Sequence, residues 1–337
     1  MKVLPEIDVN YGGLYRMLLA PIRSKLLLTG IELKVFSHLS EFKSAEAVAE
    51  AIGTHSRNTK FFLDGLAAID LLEKRDGLYR NSPVSQVFLV EDSQTYVGKL
   101  LTFMAHSNAA LENLSKLVKE GPPPQPETSH VSEGMLAQSA YMMVNSERGG
   151  DAQSLVKIVS KLPEFPLLKK MLDLGGGPGI NGMAVVAAHP NMKGFIFDLP
   201  AVVKVAKRLI SEYDMEDRME VLGGDFNCDS IGEGYDLIVA CNTLQFARDI
   251  NSVLKKVYNA LNENGVFVSI FPFGGTNERT KPESVVLGLL ALTLTGQDVW
   301  FDEGFIADSM IRVGFKSVRS KPLVIDWGQV ELDIARK

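Results

Sequence analysis

Met171-Leu172-Asp173-Leu174-Gly175-Gly176-Gly177-Pro178-Gly179 decides the reading of this chain. An apolar strand runs into a glycine-rich turn, and the INGMAVVAAHP that follows reads as a helix. Glycines at such a junction let backbone N–H groups and a helix N-terminus approach a ligand closely. Dinucleotide-binding enzymes use the same device, so the glycines alone leave the ligand open. Three details narrow it. The spacing Gly175-x-Gly177-x-Gly179 puts Ile180 where a dinucleotide fingerprint needs a third Gly or Ala. Asp173 lies within the strand, two residues before the first glycine, where a carboxylate repels a pyrophosphate but suits a ligand with an ammonium and a sulfonium. Asp198 ends the next strand, 23 positions after Gly175, where an acid can hold ribose hydroxyls.

Downstream the alternation continues. KGFIFDL reads as a strand and AVVKVAKRLISEY as a helix; RMEVLGGD, YDLIVAC and GVFVSIF are further strands, with a helix at 249–262 between the last two. Apolar strands alternating with amphipathic helices predict a mostly parallel sheet covered on both faces. The uncharged run from Ser284 to Gln297 contains Gly288, is too short to span a bilayer, and reads as a buried helix.

Upstream, residues 14–40 show helical spacing. Ser44 is placed as the N-cap of an Ala-rich helix ended by Gly53, and Ser56 as the cap of a second helix with Phe61, Phe62, Leu66 and Ile69 on its apolar face. LLEKRDGLYRNS then reads as a two-stranded wing turning at Asp76-Gly77. Helix, turn, helix and wing make a winged-helix module. Over 41–81 it carries six Lys/Arg against seven Asp/Glu, whereas a DNA-reading helix wants a basic face, so a protein–protein role is favoured. From about 94 to 160 the chain reads as helical and Met-rich, broken by GPPPQPE. Phe103, Met104, His106, Met135, Tyr141, Met142 and Met143 fall there, either as packing between helices or as a malleable wall for a flat apolar substrate. The domain expectation is a dimerisation module over 1–95, linking helices that contribute to a substrate pocket over 96–160, and a nucleotide-binding domain over 161–337.

The 337 residues include 46% hydrophobic and 23% charged, as in soluble globular proteins, and a net charge of −6 that gives no reason to expect nucleic acid or an anionic membrane. Two cysteines, Cys228 and Cys241, cannot staple a chain of this size, which suits a reducing cytoplasm, and the N-terminal residues do not read as a signal peptide. No spacing of His, Cys, Asp or Glu suggests a metal site, and His38, His55, His130 and His189 are assigned no role.

Taken together the features resemble the class I S-adenosylmethionine-dependent methyltransferases, and within them the plant and bacterial small-molecule O-methyltransferase family. That family pairs a winged-helix dimerisation domain with a Rossmann-like α/β methyltransferase fold, a mostly parallel doubly wound sheet. The resemblance runs through LDLGGGPG, FDLPAVV, GGDFN, DLIVACNTL, ENGVFVSIF and GFKSVRSKPL. It implies a homodimer, S-adenosylmethionine as cofactor and a small, aromatic or polycyclic acceptor. It further implies that Gly175 and Gly177 line the cofactor's methionine portion, that Asp198 holds its ribose, and that Asp225 and Phe226 flank its adenine. By itself Asp225 reads as an ordinary turn residue after a strand.

One segment departs from the family pattern. Members that methylate oxygen carry a Lys or Arg near the cofactor and a His general base after the fourth strand of this domain. Here CNTLQFARD puts Cys241 at the cationic position, beside the cofactor, and Gln245 at the His position, followed by Ala247 for an aromatic residue; Asp249 remains as a helix N-cap, and Phe271 replaces the usual acid after the next strand. An amide cannot take up and hold a proton at neutral pH, and loss of a general base typically costs ~10²–10⁴-fold. Gln245 is therefore expected to orient the acceptor, whose oxygen, carbon or sulfur would be methylated. His106 and Tyr141 are candidates for a replacement base. Phe103, Met104, Met142, Phe271 and Phe273 are expected to shape the pocket. Two other readings of the missing base remain: a cofactor-dependent enzyme that uses the sulfonium without transferring its methyl, and a winged-helix regulator that senses the cofactor.

Overall fold

The computed structural model describes residues 8–107, 111–112, 114–121, 132–272, 289, 301–325 and 328–337. These divide into two compact units, Met1–Phe103 and Met104–Lys337.

The first unit contains helices α1 (Gly12–Glu32), α2 (Ala45–Ile52) and α3 (Ser56–Ala68), strands β1 (Leu72–Arg75) and β2 (Leu78–Asn81), and α4 (Pro83–Phe88); α5 (Gly98–Ser107) begins within it. Local chemistry sets its punctuation. Ser44 Oγ accepts from Ala47 N–H at the start of α2, and Gly53 ends that helix at φ +67. The wing turns at Asp76 and Gly77, both with positive φ (50° and 78°), as a tight hairpin requires. Two expectations need correction. The residue capping α3 is His55, whose side chain makes no cap bond, and Ser56 is already helical. Phe61 is 63% exposed, and the buried face of α3 is carried by Thr59, Leu63 and Leu66. With Val35, Phe36, Leu39, Val48 and Tyr79 those leucines form the unit's core. Most of α1 stays outside that core: Leu14, Tyr15, Met17, Leu18 and Ile22 are exposed, and only Gly30 and Ile31 are buried.

The second unit continues through α6 (Leu114–Glu120), α7 (Glu133–Ser146) and α8 (Ala152–Val159). The helical reading from 94 to 160 misses a break here: Glu147–Asp151 forms a wide π-type turn around Gly150, whose backbone is extended at φ 170. Strands and helices then alternate as β3 (Lys170–Leu174), α9 (Ile180–Ala187), β4 (Lys193–Asp198), α10 (Pro200–Glu212), β5 (Met219–Gly223), β6 (Tyr235–Cys241), α11 (Ile250–Ala260) and β7 (Leu261–Pro272). The chain closes with α12 (Phe305–Val313), β8 (Ser317–Ile325) and β9 (Gly328–Arg336). The expected helix at 284–297, the GPPPQPE turn beyond Gly121, and Phe273 lie outside the described residues.

Seven strands make one sheet in the order β5-β4-β3-β6-β7-β9-β8. The first five are parallel; β9 runs antiparallel to β7, and β8 antiparallel to β9. One face buries Met171, Ile196, Leu237 and Val268 beneath α8, α9 and α10, and the other buries Leu172, Ile238 and Phe267 beneath α11 and α12. This is the doubly wound α/β fold. From β3 the chain moves outward to β4 and β5, then returns to β6 on the other side. The carboxyl ends of β3 and β6 therefore flank the switch point where ligands bind in such sheets. No helix among the described residues is long and apolar enough to cross a membrane.

Ile238, fully buried between β3 and β7, tests the central strand. Ile238→Ala is expected to lower unfolding free energy by about 2–5 kcal/mol in a denaturant titration.

Candidate active site

The turn from β3 into α9 can only be made by glycine. Gly175, Gly177 and Gly179 all have positive φ (65°, 55° and 86°). Space restricts two of them further: a Cβ on Gly175 would lie 1.9 Å from Thr243 Oγ1, and one on Gly179 would lie 2.3 Å from Ile196 Cδ1. Gly177 differs, because the nearest atom to a Cβ there is Glu147 Oε1 at 3.8 Å, so this peptide is open to close approach by a ligand. Backbone bonds lock the turn, with Gly175 N–H donating to Phe197 O at 2.7 Å and Gly179 N–H to Gly176 O at 2.8 Å.

Carboxylates surround it. Asp198, at the end of β4, accepts from Gly177 N–H through Oδ2 (2.8 Å) and from Leu199 N–H through Oδ1 (2.7 Å), which fixes its orientation and leaves further lone pairs on both oxygens. Burial raises its pKa against those two donors. Asp173 is 1% exposed, and its Oδ2 has no hydrogen-bond partner. Burial lifts Asp173 to about 7 despite a bond from the Gly182 backbone N–H, and Asp198 adds to the rise. A third acid, Glu147, enters from the π-type turn. It is buried, Oε2 accepts from Asn181 N–H at 3.3 Å, and burial and Asp173 hold its pKa well above the carboxylate range. The sequence reading missed Glu147 because it stands 26 residues before Asp173, inside a segment read as unbroken helix. The Gly149-Gly150 pair beside it was the available signal of a break.

On the opposite wall, Cys241 ends β6. Burial raises its thiol pKa well above the ordinary range, reinforced by Asp173, Glu147 and Asp151. The thiol is thus a neutral neighbour of the acids, without the charge of the cation expected at that position. Asn242 follows with a left-handed φ of 50°, a strained conformation of the kind that gathers at functional sites. It orders Gln245, whose Nε2 donates to Asn242 O and Asn242 Oδ1, both at 2.8 Å, while Gln245 Oε1 is buried without a partner. Asp249 caps α11 by accepting from Asn251 N–H (3.1 Å) and Ser252 Oγ (2.5 Å).

The other expected residues come from several elements. Asp225 Oδ1 accepts from Asn227 N–H and Nδ2 at 2.9 Å, and Oδ2 pairs with Arg248 at 3.2 Å, so its carboxylate ties the β5 loop to the loop after β6. Phe226, half-buried, packs against the core between the sheet and α11. Phe271 is buried in that same layer, edge-on to Phe301 at 6.0 Å. Tyr141 lies on α7 with Arg208 of α10 over its ring at 5.0 Å, and Met142 is half-buried beside it. Phe103, Met104 and His106 are exposed on α5. Among the described residues no group of three or more His, Cys, Asp or Glu could hold a metal ion.

An O-methyltransferase dimerisation domain matches residues 15–91, and an O-methyltransferase domain matches residues 135–300. The acetylserotonin O-methyltransferase of Macaca mulatta is 30% identical over 72% of this chain and 74% of that protein. This chain belongs to the O-methyltransferase family. The tetracenomycin polyketide synthesis 8-O-methyl transferase TcmO of Streptomyces glaucescens is 25% identical over 85% of this chain and 86% of its own. The fold matches the crystal structure of human N-acetylserotonin methyltransferase in complex with SAM, at a TM-score of 0.80 and 23% identity, covering 99% of each chain. As a member of this family the chain is a methyltransferase.

The buried acid makes a pH prediction. Folding raises Asp173 from 3.8 to about 7, so its stabilising contribution is complete below about pH 3.8 and lost as pH rises through about 7. Between pH 5 and 8 the unliganded wild type is expected to lose about 2 kcal/mol more stability than Asp173→Asn, read by denaturant titration. Equal losses would show that the carboxylate is not held neutral.

Proposed function

We propose that this enzyme methylates a small, flat, largely apolar acceptor that reaches the site already able to act as a nucleophile. The single observation behind this reading is Gln245. At the position where the resemblance expects a general base stands an amide, pinned through its nitrogen to Asn242 with its oxygen buried and unsatisfied. Such a group can accept a hydrogen bond and so orient an acceptor, but it cannot remove a proton. The relatives' names, one for acetylserotonin and one for a tetracenomycin polyketide, support an aromatic or polycyclic acceptor.

The cofactor supplies a methyl group on a positively charged sulfur. Three features of this chain fit such a ligand: the open peptide at Gly177, the unpartnered buried oxygen of Asp173, and the absence of a cation at Cys241. Gly175 and Gly177 would line its methionine portion. Asp198, already oriented by the turn, would hold the ribose hydroxyls, with Asp225 and Phe226 about the adenine. Cys241 would contribute a neutral wall, and Met142 with Met104 would supply adaptable apolar surface for the acceptor.

We assign residues 1–95 to dimerisation, 96–160 to linking helices and 161–337 to the methyltransferase domain. The exposed side chains of Leu14, Tyr15, Met17, Leu18 and Ile22 on α1 support a second copy of the chain as their partner, since a monomer seldom leaves so much apolar surface in one place.

Transfer of labelled methyl to a panel of phenols of graded acidity tests the proposal. Wild-type kcat/KM should follow the ionised fraction of the acceptor, rising about tenfold per pH unit below its pKa. Gln245→His should raise turnover of a phenol with pKa near 10 by about tenfold or more, and Asp198→Ala should weaken cofactor binding by about tenfold or more. Product mass should increase by one CH₂. A base-dependent pH profile in the wild type that is unaltered in Gln245→His, or turnover that leaves the cofactor intact, would overturn the reading. Sedimentation should give a dimer that Leu14→Glu with Leu18→Glu converts to monomer.

A further inference from the structure

Glu147 and Asp173 form a buried acid pair that reaches the glycine turn from two distant parts of the chain. Glu147 accepts from the backbone N–H of Asn181 at 3.3 Å, and the neighbouring amides of Ile180 and Gly182 act to lower the pKa of Glu147 and of Asp173 respectively. Both acids thus face the first turn of α9, and the preceding residue, Gly179, has no side chain with which to cap that helix. Capping alone would satisfy Glu147 through one oxygen. It does not explain why Oε1 is the atom nearest the open side of Gly177, or why Asp173 Oδ2 is fully buried without any partner.

Among the described residues the pair has no counter-charge. Facing Glu147 are Asp173 on β3, Asp151 in its own turn, the Cys241 thiol on β6 and the α9 amides, with Asp198 acting on Asp173 from β4. The adjacent cation, Arg148, instead donates to Tyr213 Oη at 2.7 Å and to Asn145 Oδ1 at 3.4 Å. Among the described residues no salt bridge reaches Glu147 or Asp173. Two buried acids in this setting retain a proton between them, because ionising both without a cation is costly.

We propose that Glu147 is a binding residue for the ammonium of the cofactor's methionine end, and that docking this cation expels the proton held by the Glu147–Asp173 pair. The inference rests on the cofactor reading above. The ligand's ammonium takes the place of the proton as the pair's partner, the proton leaves to solvent, and the Glu147 carboxylate remains bonded to the Asn181 amide. Cofactor affinity therefore rises with pH on the acid side of neutrality. The product S-adenosylhomocysteine, which keeps the ammonium, behaves in the same way.

Calorimetric titration at pH 6.5, where an α-amino group keeps its own proton, tests this in two buffers of different ionisation enthalpy. Binding of S-adenosylmethionine or S-adenosylhomocysteine to wild type is expected to release about half to one proton. Glu147→Gln keeps an oxygen for the α9 amides but cannot ionise; it should retain the wild-type circular dichroism spectrum, bind about tenfold or more weakly, and release markedly less. If Glu147 only caps α9, Glu147→Gln will match wild type in affinity and proton count, and the assignment falls. Wild-type binding without proton release, or release with S-adenosylmethionine alone, also overturns it while leaving the cofactor site standing. Wild type that binds neither ligand overturns both.

Discussion

The site depends on one steric constraint, the passage of the chain from β3 into α9. Three left-handed backbone positions within five residues, two of them pressed against Thr243 and Ile196, exclude every side chain but hydrogen. That exclusion brings the end of β6 against the end of β3 and aims the Gly177 amide at Asp198. The sheet topology does the rest: because the strand order reverses between β3 and β6, their carboxyl ends open a crevice, and the glycine turn forms one of its walls.

Electrostatics then give the crevice its chemical character. A pyrophosphate site gathers backbone amides and cations. Here amides of the turn and of α9 are engaged by carboxylates from β4 and the π-type turn, the buried Asp173 of β3 lies beside them, and the position that the resemblance reserves for a cation is the neutral Cys241. Such a site favours a positively charged ligand. The methyl-transfer step asks for alignment of donor and acceptor more than for acid catalysis. A site of this kind can therefore dispense with a histidine, provided its acceptor does not depend on the protein to lose a proton. Gln245, ordered by the strained Asn242, has the attributes of an orienting group and none of a base.

What could be read from the sequence was whatever local chemistry enforces. The glycine turn, the wing at Asp76-Gly77, the Ser44 and Asp249 caps and the strand-ending Asp198 are each determined within a few residues, and the structure places them as their chemistry requires. Features set by tertiary approach were not visible. Glu147 joins the glycine turn only because the helix breaks at Gly150, and the contact of Gly175 with Thr243 follows from the pairing of β3 with β6. The side-chain assignments on α3 went astray for a related reason. Periodicity identifies a helix well but fixes its rotation poorly, so Phe61 was turned inward in place of Leu63. Strand β9 escaped notice because its inward positions include Glu331 and Asp333, which break the apolar pattern of a buried strand.

On this reading, acids around the glycine turn select a cationic nucleoside. Equilibrium dialysis of the purified chain against S-adenosylmethionine and against NAD, separately and in competition, tests it most directly. Saturable binding of S-adenosylmethionine that NAD does not displace even in large excess is the predicted result. NAD bound as tightly, or displacing the adenosyl ligand from the same crevice, would contradict it.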